Sequence, residues 1–349
     1  NPFRFPDEFE IEDALESIRQ MGGRVVRIYT LSVRRKDDDA GMPRHVLGPG
    51  TFDEDAFRAL DKVLDIANRK GVRVIVPFVD QWSWWGGIAE YAQFRGKAPA
   101  EFWTDPQVVA DFKQTIAYVL NRRNTYTGAR YKDDKAVLGW ETGNELSNPP
   151  SWSRDIAAYV KSVDPNHLLI DGYHAGNRGL VPESIDDPNI DVITTHHYPD
   201  FPVPLLDAVE QARAQIAGRK PYFVGEVGFM PTATIRGLFD AVIARDISGA
   251  LVWSLRVHNR DGGFYWHSEP AGGGLYKAYH WPGFRSGDAY DESALLASMR
   301  DKAFAIAGGP VPPLAAPAPP VLLPVPGVHA ISWKGSAGAS AYDVERAPS

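Results

Sequence analysis

The sequence predicts an α/β fold of the (β/α)8 barrel type, and three observations carry that expectation. Segments with helix period and strand period alternate along most of the chain. The strands are nearly continuous apolar runs, such as Val72–Asp80, which is the pattern of a parallel sheet covered by helices on its outer face. Acidic residues close several of these runs, at the end of the strands where barrels of this kind assemble their functional sites. A chain of 349 residues is long enough for one large domain of this type with a small appendage.

The elements follow in order. A helix over Asp7–Gln20 ends at Gly22-Gly23, and Val25–Leu31 follows as a strand. A helix over Asp53–Arg69, stopped by Gly71, leads into the strand Val72–Asp80. A long loop carrying Trp82, Trp84 and Trp85 precedes a helix over Pro106–Asn121. Next come a strand over Val137–Glu145, a helix around Ser153–Val163, and strands over Leu168–Tyr173 and Ile190–Tyr198 with a short or absent helix between them. Pro204–Ala217 reads as a helix, Tyr222–Val227 as a strand, Thr234–Ile247 as a helix, Ala250–Val257 as a strand and Glu292–Ala307 as a last helix. These are seven strands where a closed barrel has eight, and the chain opens on the helix that follows strand one in such a fold. The expectation is a TIM barrel whose first strand is missing from this chain.

Gly308–Gly327 is rich in Pro and Ala, the composition of an extended linker. Beyond it, Ala330–Ser336 and Ala341–Ala347 alternate with strand period around a Gly/Ser turn and resemble the opening strands of a fibronectin type III module. The expected domains are therefore the barrel over 1–308, the linker over 309–327 and a partial β module over 328–349.

Composition narrows the function. The formal charge of -7 argues against nucleic acid, whose phosphates call for a basic footprint. No apolar run approaches the roughly 18 residues of a membrane span, so no membrane partner is expected. The absence of cysteine removes disulfides and cysteine nucleophiles. No cofactor and no metal are expected: no phosphate-cradling glycine motif occurs, and the neighbouring His196 and His197 point to opposite faces of their strand. A secreted location is expected from the linker-and-module architecture, although no targeting segment is visible.

Two glutamates stand out. Glu145 closes Val137-Leu-Gly-Trp-Glu-Thr-Gly-Asn-Glu, and Glu226 lies in Pro221-Tyr-Phe-Val-Gly-Glu-Val-Gly. A carboxylate at the end of an apolar strand is costly unless chemistry uses it. Two of them facing a tryptophan-rich cleft suggest glycoside hydrolysis, which needs one acid and one nucleophile or base. Strand parity puts Glu141, Gly143 and Glu145 on one face and leaves Asn144 on the other; it also pairs Arg27 with Tyr29 and His196 with Tyr198. Glu141 reads as a buried ion-pair partner of Arg27. The rings of Trp82, Trp84 and Trp85 suit sugar stacking, with loop packing as the plainer reading. For Trp266, Trp281 and Tyr265, in the loop after the last strand, the two readings are evenly balanced.

These motifs resemble a known family. Trp140-Glu-Thr-Gly-Asn-Glu-Leu is similar to the fourth-strand signature of the clan A glycoside hydrolases. Phe102-Trp-Thr-Asp-Pro, Asn121-Arg-Arg-Asn-Thr-Tyr-Thr-Gly, Tyr131-Lys-Asp-Asp and Thr195-His-His-Tyr-Pro-Asp narrow the likeness to family 5, nearest its endo-β-1,4-mannanase branch. The resemblance implies that Glu145 is the acid/base and Glu226 the nucleophile. It also implies that Asn144 binds the sugar 2-hydroxyl, that Arg27 lies beside the nucleophile, that His196 and Tyr198 adjoin the pair, and that Trp253 forms the floor under the sugar being cleaved. A retaining mechanism on a mannan-type polysaccharide follows from the likeness. A β-glucanase or exo-β-glycosidase of the same clan, or a non-catalytic carbohydrate-binding barrel, are the other readings. Leu146 and Gly225-Glu-Val-Gly228 depart from the branch, which usually carries Asn-Glu-Pro and Glu-Glu-Phe/Tyr-Gly.

Overall fold

In the computed structural model, residues 4–174, 179–271, 274–284, 289–327 and 329–345 are described. Helix boundaries follow their capping residues. Helix α1 (Glu8–Gln20) starts at Asp7, whose carboxylate accepts from the Glu10 amide while the Glu10 side chain accepts from the Asp7 amide. Helix α2 (Glu54–Lys70) starts at Asp53 and stops at Gly71, which takes the left-handed conformation at φ 69°. Helix α3 (Pro106–Asn121) has Asp105 as cap and proline in its first turn.

Strands β1 (Val25–Arg27), β2 (Arg73–Pro77), β3 (Val137–Glu141) and β4 (Leu168–Ile170) pair in parallel and in chain order. Strands β5 (Ile193–His197), β6 (Tyr222–Val227) and β7 (Ala250–Val252) do the same, and a parallel bridge from Ile170 to Val192 joins the two sets. Between them run α4 (Pro150–Val163), the single-turn α5 (Pro182–Asp186), α6 (Leu205–Ile216) and α7 (Thr232–Ala244), and α8 (Glu292–Ile306) ends the series. The helix layer closes on itself: α8 packs on α7, and Arg300 on α8 donates to the Gln20 carbonyl at the end of α1 at 2.9 Å. The sheet interior shows barrel layering. Ile75, Ile170 and Phe223 come from alternate strands β2, β4 and β6, and Val25, Leu138 and Leu251 from β1, β3 and β7. β1 to β7 are the seven strands that the sequence predicts, and beyond β7 the short strands Leu255–Arg256 and Tyr279–His280 form a further parallel pair.

Most strands are shorter at their C-terminal ends than their apolar runs. Val72–Asp80 pairs regularly only to Pro77, and Val137–Glu145 only to Glu141. The remaining residues form the rim, where isolated bridges such as Asp80 to Asn144 and Leu146 to Tyr173 continue the contact. Backbones come close here, because a Cβ on Gly172 would meet the Gly143 carbonyl oxygen at 1.9 Å.

Beyond β7, the balance between packing and sugar contact falls to packing for two aromatics, and the expected hairpin is corrected. Trp281 is buried, with its indole donating to the Gln20 side chain at 2.8 Å, so it is core. Tyr265 donates to Glu10 at 2.7 Å and anchors the start of α1. The fibronectin-like hairpin is not the pairing observed either. Trp333–Lys334 pairs antiparallel with Val321–Leu322 from the linker, and residues 341–345 are not in a strand. This tail packs on α1: Lys334 lies over the Phe9 ring at 5.1 Å, and Gln20 donates to the Ala337 carbonyl at 3.3 Å. No helix among the described residues is long and apolar enough to cross a membrane.

Candidate active site

Arg27, the last residue of β1, organises the rim. Its guanidinium donates through Nε and Nη2 to Glu141 at 2.6 and 3.2 Å, through Nη1 to Glu226 at 2.7 Å and through Nη2 to Asn144 Oδ1 at 2.8 Å. A planar fork can serve several acceptors at once, which a lysine cannot. Glu141 is therefore the ion-pair partner that the sequence suggests. Burial opposes the Arg27 charge, but Glu141 and Glu226 outweigh it and raise its pKa above the ordinary arginine value.

Asn144 corrects the parity argument. Strand period ends at Glu141, and the chain bends through Thr142 and Gly143, so Asn144 turns toward the same guanidinium as Glu141. Glu145 then takes φ 53°, the left-handed region that non-glycine residues avoid at a cost of order 1–3 kcal/mol. That conformation turns its carboxylate toward β5 and the tryptophan loop. His196 Nδ1 is 3.0 Å from Glu145 Oε1, the Trp82 indole donates to Oε2 at 2.6 Å, and His174 Nε2 lies 3.7 Å from Oε1.

Glu226 faces this group from β6. Tyr198 donates to its Oε2 at 2.6 Å, and His196 Nδ1 is 3.5 Å from the same oxygen. His196 thus stands between the two carboxylates, while His197 turns away to Thr195 at 2.8 Å. One oxygen of Glu145, one of Glu226 and a His196 nitrogen all lie within 4.8 Å of one another. Such a triple could bind a cation, but the Arg27 guanidinium already engages Glu226 and works against a second positive charge there.

The electrostatics distinguish the residues. Burial pushes the Glu145 carboxyl up, yet the hydrogen bond and charge of His196, with His174 and Trp82, overcome it and hold the pKa down at about 2. Burial lowers the His196 pKa, but Glu226 and Glu145 raise it above the usual histidine value. Burial, followed by the negative charge of Glu226, raises Tyr198 well above an ordinary tyrosine. His196 therefore holds a proton more readily than an ordinary histidine, with Nδ1 3.0 Å from Glu145.

Aromatic rings flank the cluster. The Tyr29 ring lies 6.1 Å from Trp85 and 5.6 Å from Trp253, with Trp253 half-buried beside it. Trp82 and Trp84 are exposed, Trp84 to 71%. The carbonyls of Ser83 and Trp85 accept from Arg35 Nη1 at 2.9 Å and the Val33 amide at 2.9 Å. Trp266 is also exposed, and its ring stacks on His280 at 5.2 Å. Two residues of the cluster, Asp80 and His174, were not marked by the sequence motifs. Asp80 carried a usable signal, since it too is an acid closing an apolar run. It accepts from Tyr29 at 2.7 Å, Asn144 at 3.0 Å and the Trp82 amide at 3.2 Å. Burial raises its pKa to about 6, with those three donors opposing and the Glu145 charge adding to the rise.

The GH family 5 beta-mannosidase-like family matches this chain over residues 6–202, more than half of its length. The chain belongs to glycoside hydrolase family 5. It is 32% identical over 266 residues to mannan endo-1,4-beta-mannosidase 1 of Oryza sativa subsp. japonica, covering 63% of this chain and 60% of the rice protein. It is 34% identical over 222 residues to mannan endo-1,4-beta-mannosidase 1 of Arabidopsis thaliana, covering 56% and 53%. The chain thus spans between half and two thirds of the length of these curated relatives. The fold is similar to that of the hyperthermostable endo-1,4-beta-D-mannanase of Thermotoga petrophila RKU-1, with a TM-score of 0.71 and 23% identity over 86% of this chain and 96% of that one. This family 5 chain carries both glutamates and Arg27 on the rim of one α/β barrel.

Proposed function

We propose that the protein is a retaining glycoside hydrolase that cleaves β-1,4-mannosidic linkages within mannan-type polysaccharides. One observation carries the mechanism: an oxygen of Glu145 and one of Glu226 lie within 4.8 Å of each other. Retaining enzymes hold their carboxyl groups about 5–5.5 Å apart, whereas inverting enzymes leave about 6.5–9.5 Å for a water. The names of the rice and Arabidopsis relatives support mannan as the polymer. The departures at Leu146 and Gly225-Glu-Val-Gly228 leave both carboxylates in place.

In this mechanism Glu226 attacks the anomeric carbon, with Arg27 and Tyr198 fixing its two oxygens. Glu145 gives a proton to the departing oxygen, then takes one from the water that releases the covalent intermediate. His196 Nδ1, 3.0 Å from Glu145 Oε1, is placed to exchange a proton with the acid/base, and the Trp82 indole contacts its other oxygen. Asn144 meets the 2-hydroxyl, and Trp253 and Trp82 bracket the sugars. Trp84, Trp85 and Trp266 supply further stacking surface. The reading puts the protein outside the cell, where a mannan polymer is met, and activity in the culture medium of its source tests that location.

The test of the function is turnover by the wild type and the Glu226→Gln variant on mannan, cellulose and aryl β-glycosides. Mannan cleavage with retained anomeric configuration, abolished in the variant, is expected. Oligosaccharide binding without turnover by the wild type would leave a carbohydrate-binding barrel instead. The product lengths from mannohexaose separate internal from terminal cleavage.

A further inference from the structure

We propose that Asp80 is a positioning residue that fixes the Asn144 side-chain amide for the 2-hydroxyl of the sugar being cleaved. This rests on the reading of the site as a mannan hydrolase. Asp80 lies just beyond β2, fully buried, and its side chain is surrounded by donors. Oδ1 accepts from Asn144 Nδ2 at 3.0 Å and from the Trp82 amide at 3.2 Å, while Oδ2 accepts from the Tyr29 hydroxyl at 2.7 Å. The titratable groups facing it are Tyr29 beyond β1, which donates its hydroxyl, and Glu145 beyond β3, whose charge opposes its own.

The chemistry of the partners sets the orientation of the amide. An asparagine side chain has two nearly isosteric ends, and only its neighbours decide which is oxygen. Arg27 can only donate, so it selects the oxygen end at 2.8 Å. Asp80 as a carboxylate can only accept, so it selects the nitrogen end. One Nδ2 hydrogen is directed at Asp80, and planarity then fixes the direction of the other. A flipped amide would set oxygen against Asp80 and nitrogen against Arg27, two repulsive contacts in a buried site. Asp80 also holds the Trp82 backbone, and the Trp82 indole reaches Glu145. A single buried carboxylate thereby places both the sugar-binding amide and the indole against the acid/base.

The isosteric Asp80→Asn variant is the conservative control. Its carbonyl can accept from Asn144 and Trp82 while its amide donates to the Tyr29 hydroxyl. Asp80→Leu removes every acceptor, and Asp80→Ala, which leaves room for water, serves if the leucine variant does not fold. The substrates are an aryl β-mannotrioside and the same compound without the 2-hydroxyl on the sugar next to the aryl group. On the full substrate, kcat/KM is expected to fall about 100-fold in the leucine or alanine variant, the scale of a misplaced binding group. On the deoxy substrate, which has no hydroxyl for Asn144 to meet, the fall is expected to be no more than about ten-fold, the size of the Trp82 contact alone, and Asp80→Asn should keep most activity on both. Equal losses on the two substrates mark a merely structural role and overturn the proposal, as does no loss on either.

A wild type inactive on both substrates would sink the hydrolase reading but still leave Asp80 testable. The Asn144 side-chain amide protons, followed by NMR, should exchange slowly with water in the wild type and rapidly in Asp80→Ala. Equal exchange in the two proteins would overturn the positioning role by itself.

Discussion

Replacing Arg27 by alanine removes the cation from between two carboxylates and an amide. The side chains of Arg27, Glu141 and Glu226 are 5%, 1% and 7% exposed, so water cannot take over the lost contacts without rearrangement. Removing one partner of a buried ion pair costs about 3–5 kcal/mol, because it leaves an uncompensated buried charge. Two carboxylates are stranded here, which puts the loss at the upper end, about 5 kcal/mol. In a domain of this size each kcal/mol moves the midpoint by about 2–4 °C, so Tm should fall by about 10–20 °C. Arg27→Lys keeps the charge but cannot serve Glu141, Glu226 and Asn144 together, and should lie between. The decisive variant is the double change Arg27→Ala with Glu141→Gln, which removes one stranded charge and should recover a measurable part of the loss. Differential scanning calorimetry at neutral pH reads all four proteins. A fall below about 1 kcal/mol for Arg27→Ala, the size of an exposed pair, would refute the reasoning. So would a double variant less stable than the single one.

Three further outcomes follow from the geometry. Trp82→Phe keeps a ring but loses the N–H that stabilises the Glu145 carboxylate; kcat/KM on mannotetraose should fall about ten-fold. The limb of the pH profile set by Glu145 should then move to higher pH, and a downward move or none would contradict the contact. Burial pushes Glu10 up, but its bonds from Arg260 and Tyr265 hold it at about 2 against an ordinary 4.5. Its contribution is therefore present above about pH 4.5 and lost as pH falls through 2, so Tm should drop over that window in the wild type and vary less in Glu10→Gln. Trp281→Ala empties a core position and should cost about 3–5 kcal/mol, whereas Trp266→Ala should change stability by less than about 1 kcal/mol, both read by denaturant unfolding.

Much of the site was legible because its residues are marked locally. Glu145 and Glu226 each stand at or near the end of an apolar run, and Arg27, Glu141, His196 and Tyr198 fall on the strands that the alternating pattern identifies. The caps at Asp7, Asp53 and Asp105 set helix starts that the sequence places to within a residue. Asn144 was misplaced for a physical reason: parity holds only along a regular extended strand, which ends at Glu141, and only isolated bridges continue beyond it. His174 lacked a distinguishing local pattern, whereas Asp80 closes an apolar run and only the fold shows which side chains it meets. The tail misled because strand-like alternation does not name a strand's partner, and Trp333–Lys334 pairs with Val321–Leu322 of the linker.

The sequence by itself determined the alternating architecture, the family and the two glutamates, since periodicity, capping and motif are properties of neighbours in the chain. The tertiary structure alone decided which groups meet. Arg27 reaches Glu226 across 199 positions, Trp82 reaches Glu145 across 63, and His196 reaches Glu145 across 51. Those contacts exist because parallel strands bring their C-terminal ends to one rim, and because Glu145 leaves strand geometry at a positive φ. The two carboxylates are written in the sequence; the His196 ring that stands between them is set by distances only the folded sheet fixes.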